Sequence, residues 1–185
     1  MIGKKNVVFG FIFLVFSAAL GPYMIVSYMP EVDVAGAEKQ DKLARLQQLK
    51  LDNFEEELEA LTPEAIAKAN TDGILALNRL GNARQPIDLI KNPHAHANLE
   101  ALLNIAVGIT LCFVAVAPVF KQVISWVFIL GTLLHSGVMY LAIVFEMGWA
   151  FAVLGSGIGP VLVLVGLLLA GIAAFMGMRG ELVKD

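Results

Sequence analysis

Charge is what this sequence has little of. Asp, Glu, Lys and Arg make up 16% of its 185 residues, against 58% for apolar and aromatic side chains, where a soluble domain carries roughly 25% charged residues. The shortage is concentrated: between Glu100 and Arg179 the only full charges are Lys121 and Glu146. A water-soluble fold of this length could not bury that much apolar surface, so the composition implies an integral membrane protein. Basic excess is missing too. A net charge of −3 offers no basic face for nucleic acid. The single cysteine, Cys112, excludes an internal disulfide. Phosphate-cradling glycine loops, dinucleotide fingerprints, Cys-x-x-Cys, His-Glu-x-x-His and Gly-x-Ser-x-Gly are all absent, which argues against a self-contained enzyme of a soluble type. No repeat with a period of about 20–50 residues suggests a solenoid.

What is present is a set of long apolar runs. A membrane-crossing helix needs about 20 apolar residues, and Val7–Met29, Ala101–Phe120 and Gln122–Phe145 each meet that length. The fourth run, Met147–Met178, is longer than one crossing. It reads as an interfacial turn from Met147 to Gly157 followed by a span over Ile158–Met178, with Pro160 suited to the first helical turn. Lys4-Lys5 before the first run also fits a signal peptide, with Ser17-Ala18-Ala19 as a small-residue site. The run continues past the usual length of a signal core, so an uncleaved anchor is expected. Lys4, Lys5, Lys121, Arg179 and Lys184 fall on one side of four crossings, which puts both termini in the cytoplasm. The expected fold is an all-α, four-helix membrane bundle. Residues 1–29 form an anchor, 30–98 an extracytoplasmic helical segment and 99–185 a three-helix bundle. In a Gram-negative bacterium this means the inner membrane, with residues 30–98 in the periplasm.

The outer segment carries helical signals. Leu51, Phe54, Leu58 and Leu61 recur at 3-4-3 spacing beside several glutamates, which predicts an amphipathic helix over Gln40–Leu61. Thr62-Pro63 reads as an N-cap and first-turn proline. Thr71-Asp72 offers another cap before Ile74–Leu80, and Gly81 a stop. Packing over the bundle is the plain reading of these helices; docking of a partner subunit on the leucine-phenylalanine stripe is the other.

Three histidines could carry chemistry. Asn92-Pro93 reads as a helix start, after which His96, Glu100, Asn104 and Gly108 drift only about 40° per step and form one stripe facing the helix interior. His94 would point about 200° away from His96. His135, eleven residues from Glu146, falls near the bilayer midplane if Glu146 marks the outer rim, a depth of about 16 Å. An ionisable residue there is a functional candidate, to be weighed against a neutral histidine bonded to a neighbouring helix. With Glu100 also taken as a rim residue, His96 and His135 would differ in depth by about 20 Å. They could not then ligate one iron, and Cys112 would be level with His135. The outer rim would gather His94, His96, Glu100 and Glu146, with Asp88 near in sequence, a donor set suited to zinc, copper or non-haem iron. The small-residue rows Gly155/Gly159 and Gly166/Ala170/Ala174 predict close helix packing.

The run His94-Ala95-His96-Ala97-Asn98-Leu99, leading into an apolar helix, resembles the histidine-bearing helix starts of small relatives of haem–copper oxidases and of haem- and copper-containing membrane proteins of the nitric-oxide-response type. Gly131-Thr132-Leu133-Leu134-His135-Ser136-Gly137 is similar to a second such helix. The likeness covers about 50 residues, and Ala101 stands where glycine is usual. It implies haem or copper handling in a respiratory membrane, with His96 and His135 as cofactor ligands. The resulting expectation is a small accessory subunit of a redox membrane complex, holding a haem or metal. Its partners would be membrane lipid, larger membrane subunits or further copies of itself, and no nucleic acid. The alternatives are a structural or assembly subunit whose histidines only pack, and a small oligomeric transporter or channel.

Overall fold

The structure, a computed structural model, describes residues 1–57 and 59–184. The described residues form five helices and one short hairpin. In chain order these are α1 (Lys4–Leu51), strands β1 (Glu55–Glu56) and β2 (Glu59–Ala60), α2 (Pro63–Phe113), α3 (Pro118–Ile143), α4 (Gly148–Gly155) and α5 (Ile158–Gly177). The expected all-α class holds. Helices α1, α2, α3 and α5 are each long and apolar enough to cross a membrane. The chain divides into two compact units, one made of Met1–Gly21 with Ile90 onward, the other of Pro22–Leu89.

In the first unit α1, α2 and α3 run alternately up and down. Asn6 meets Asn104 and Ser17 meets Asn98 between α1 and α2; Asn104 meets Thr132 and Glu100 meets Ser136 between α2 and α3. Small residues let the backbones come this close. A methyl group on Gly3 would collide with the Gly108 carbonyl, and one on Gly10 would lie 2.6 Å from the Ala101 carbonyl oxygen. On the α3–α5 side, Gly131 meets the backbone of Val163, Gly159 that of His135, and Gly166 the Phe128 ring. The core lies toward one end, where Leu111, Val114, Ile124, Phe128, Val163 and Ala173 interlock. At that end the α2–α3 connector pairs with the chain leaving α5. Ala115 N–H donates to the Gly177 carbonyl at 2.7 Å, and Arg179 N–H to the Phe113 carbonyl at 2.8 Å.

Several expected boundaries shift. The second apolar helix ends at Phe113 rather than Phe120, and Pro118 begins the next helix from its first turn. Lys121 is therefore a helical residue, buried at 1% exposure, and not a loop cation. Lys5 bonds to Gln122, and its ammonium lies 4.3 Å from the centre of the Trp126 ring, a cation–π contact that ties α1 to α3. The segment after Met147 is a short helix, α4, rather than a turn. The next helix does begin at Ile158, behind Gly157 with φ of 70°, a backbone angle that favours glycine.

In the second unit α1 and α2 supply an antiparallel pair. Val32 and Ala35 pack on Leu80 and Ala83, and Arg79 donates to Glu38 at 2.8 Å. The helix predicted over Gln40–Leu61 is formed only as far as Leu51. Helix α1 stops at Leu51, Phe54 N–H bonds back to the Leu49 carbonyl at 2.7 Å, and Asn53 takes φ of 51°. This is a Schellman stop with asparagine in the left-handed position. Leu51 is exposed and Phe54 marginally so, which breaks up the predicted stripe; Leu58 lies outside the described residues. Thr62-Pro63 starts α2 as expected, with Ala65 N–H donating to Thr62 Oγ1 at 3.2 Å. The further caps do not form. Thr71 Oγ1 bonds the Ala67 carbonyl within the helix, and α2 runs on through Gly81 and Pro93.

Candidate metal centre

Helix α2 builds the site through its periodicity. Residues four apart stay on one face, so Glu100, Asn104 and Gly108 all turn inward and are buried, while His96 continues the same row at an exposed position. Of the interior stripe read from sequence, Glu100, Asn104 and Gly108 are interior and His96 is not. Opposite it, α3 departs from α-helical geometry over Leu133–Gly137, where one π turn carries both His135 and Ser136. Such a turn inserts an extra residue and re-aims the side chains within it, and it recurs at functional sites. Gly159 supports the arrangement from behind, since a β-carbon there would lie 2.5 Å from the His135 amide nitrogen.

The result is a convergence that depth counting along single helices does not give. Glu100 Oε1 bonds His135 Nδ1 at 2.5 Å, and Glu100 Oε2 accepts from Ser136 Oγ at 2.8 Å. The His96 and His135 ring centres are 5.0 Å apart, edge to face. One donor atom from each of His96, Glu100 and His135 lies within 4.8 Å of the other two. The 20 Å separation expected between His96 and His135 is therefore wrong. It rested on treating Glu100 and Glu146 as level with one another, whereas Glu100 bonds His135 and Ser136, about ten residues before Glu146 in the chain.

The same geometry separates the other expected ligands. His94 faces α1: its Nδ1 lies 2.9 Å from the Ser17 carbonyl oxygen, and Asn98 Nδ2 lies 3.3 Å from its Nε2. A carbonyl only accepts, so Nδ1 carries the proton and Nε2 accepts from Asn98. Both nitrogens are engaged, and His94 stands outside the His96–Glu100–His135 group. Glu146 is exposed and does not join the group. Cys112 bonds the Gly108 carbonyl, three turns of α2 from Glu100, so the level pairing with His135 does not occur either.

Chemically the group has a definite character. When Glu100 is ionised it only accepts, so His135 donates from Nδ1 and presents Nε2 with its lone pair free. For Glu100 and His135 to ligate one ion, the imidazole would carry its proton on Nε2 and the ion would take the place of the Nδ1 proton beside Glu100 Oε1. The nearest polar groups form a continuous buried network that sequence reasoning missed. Ser125 Oγ donates to Asn6, Asn6 Nδ2 to Asn104 Oδ1 at 3.2 Å, and Asn104 Nδ2 to Thr132 Oγ1 at 2.8 Å. Asn104 was visible in the stripe. Ser125 and Thr132 are single polar residues among apolar neighbours, and Asn6 stands between Lys5 and the first apolar run, which is the only signal available.

Comparison with protein-family models, with curated proteins and with solved structures returns no match.

Proposed function

We propose that the chain is an integral membrane protein that holds one divalent first-row transition-metal ion between His96, Glu100 and His135. The observation that carries this reading is the convergence of two imidazoles and a carboxylate within 4.8 Å. Two histidines and one carboxylate suit zinc, copper, cobalt or ferrous iron, and leave coordination positions open. Donor atoms of a tetrahedral site at bond lengths of about 2.1 Å lie about 3.4 Å apart, so rotamer adjustments of about 1 Å close the group on an ion. A bare ion is favoured over haem. An iron between two imidazoles, with bonds of about 2 Å, keeps the ring centres about 6 Å apart with the porphyrin between them, and these rings stand at 5.0 Å.

The four long apolar helices support membrane insertion, and the cations support an orientation. Lys4, Lys5, Lys121, Arg179 and Lys184 all belong to the end of the first unit where the α2–α3 connector pairs with the chain after α5. That end is assigned to the cytoplasm. Glu100 then lies about 20 Å from Phe113 along α2, in the outer part of a core about 30 Å thick. In a redox membrane complex, a chain of this size with a single ion would serve as an accessory subunit.

The test is metal analysis of the full chain in detergent after loading with cobalt or zinc and dialysis. One ion per chain is expected, with His96→Ala and His135→Ala binding at least about 100-fold more weakly, since removing a ligand should cost more than the 10–100-fold typical of an outer-shell change. His94→Ala should keep the ion. No bound ion in the folded wild type would overturn the reading and leave the histidines as packing residues.

A further inference from the structure

Tyr140 is the one feature near this site that neither packing nor the three ligands explain. Its hydroxyl is buried and has no hydrogen-bond partner, the only side-chain polar atom of that kind among the described residues. Buried hydroxyls find partners because leaving one unpaired is costly. The position is informative. Glu100 pairs with Ser136 and Asn104 with Thr132, so α2 and α3 run antiparallel in a fixed register. One turn further, that register sets Tyr140 level with His96. Tyr140 is also one turn beyond Ser136 on the same face of α3, and long helical side chains lean back over the preceding turn. Its ring packs on Phe13 of α1, with centres 6.5 Å apart.

Building on the metal reading, we propose that the Tyr140 hydroxyl donates a hydrogen bond to a small exogenous anion bound at an open position of the ion held by His96, Glu100 and His135. Three protein ligands leave room for such an anion. A phenol at the level of the ligands supplies a donor with no competing acceptor in the protein. The unpaired hydroxyl is then a group set aside for a ligand, and Phe13 packs on its ring.

The experiment uses the full chain in detergent, loaded with cobalt(II), whose visible bands report its coordination, and titrated with azide. Azide is expected to shift the wild-type spectrum. Tyr140→Phe is expected to bind one cobalt with unchanged affinity but to bind azide about tenfold more weakly, as for loss of a hydrogen bond to a charged acceptor. Without metal, Tyr140→Phe should melt at or above the wild-type temperature, because it removes a hydroxyl that had no partner. Equal azide affinity in the two proteins, or no spectral response of cobalt-loaded wild type to azide, would overturn the proposal and leave the metal site standing. Loss of cobalt from Tyr140→Phe would overturn it in favour of direct ligation by the phenol. A lower metal-free melting temperature would reveal a protein partner for the hydroxyl and overturn it too. Failure of wild type to bind cobalt at all would remove the metal reading first, and this proposal with it.

Discussion

Replacing Glu100 in two ways separates its part in the fold from its part in binding. Its carboxylate accepts from His135 Nδ1 and from Ser136 Oγ across the α2–α3 interface, with the side chain 5% exposed. Glu100→Ala removes both acceptors. Interhelical hydrogen bonds in membrane proteins are worth about 0.6–2 kcal/mol each, so two of them come to about 1–4 kcal/mol. The upper half is expected, because the His135 N–H is left buried without an acceptor. Ser136 is less affected, since its hydroxyl can rotate onto a carbonyl one turn back. Glu100→Gln keeps the size. Its amide oxygen can accept from His135, and its amide NH2 can donate to the Ser136 oxygen, so every group remains paired and the cost should stay within about 1 kcal/mol. What Gln cannot supply is the negative charge. Unfolding in mixed micelles followed by circular dichroism, with metal analysis of the same samples, should therefore give a destabilised Ala variant and a stable Gln variant that has lost most of its metal affinity. Wild-type metal affinity in the Gln variant would refute the assignment of Glu100 to the ion. Equal stability of the Ala variant and wild type would refute the hydrogen bonding from which the magnitude is worked.

The remaining predictions concern how the frame holds the site. Gly159→Val should cost more than about 1–3 kcal/mol, the usual range for overpacking. Its new atoms would meet the backbone of Leu134 and His135, which cannot rotate away, and metal binding should fall with stability. Gly155→Ala is the control, with nothing near the added carbon, and should be neutral or stabilising by up to about 1 kcal/mol; thermal melts of the two variants decide. Asn53→Gly should leave the second unit's stability within a few tenths of a kcal/mol, whereas Asn53→Ile should cost about 1 kcal/mol or more, because a β-branched residue resists the φ of 51° found there. Protease susceptibility of the hairpin region reads that difference.

The parts of this fold that sequence made legible are those governed by one helix at a time. The inward row of Glu100, Asn104 and Gly108 follows from helical periodicity alone. The starts at Pro63 and Ile158 follow from a threonine cap and from Gly157 with Pro160 behind it. Other signals were outweighed by what they could not see. Asn92-Pro93 looks like a helix start because proline lacks an N–H, yet α2 continues through Pro93, which is fully buried; packing retains a helix at the loss of one bond. The leucine spacing beyond Leu51 suited a helix, but Asn53 in the left-handed region ends it. Relative height between helices was the least legible quantity. It depends on which glycine meets which backbone, as Gly10 meets Ala101 and Gly159 meets His135, and no count of residues from a charged group supplies that offset.

The register of Glu100 bears on function, because the contrary reading came from a sound expectation. A carboxylate between apolar helices should sit near water, since burying a charge is costly unless it is paired and hydrogen-bonded. Here it is buried and doubly bonded, and its partners come from a π turn, itself a departure from the regular helix. One turn away lies a buried hydroxyl with no partner. As helix glue this would be a poor design. A buried charged group is weak evidence for stability and is often replaceable by apolar packing, and Asn104, Thr132, Asn6 and Ser125 already bind the three helices with neutral groups. Three departures from local rules within two helical turns, beside a polar network that does the fastening without them, favour a role outside packing. An ion of opposite charge is the partner that would make the carboxylate, the re-aimed histidine and the waiting hydroxyl consistent with one another.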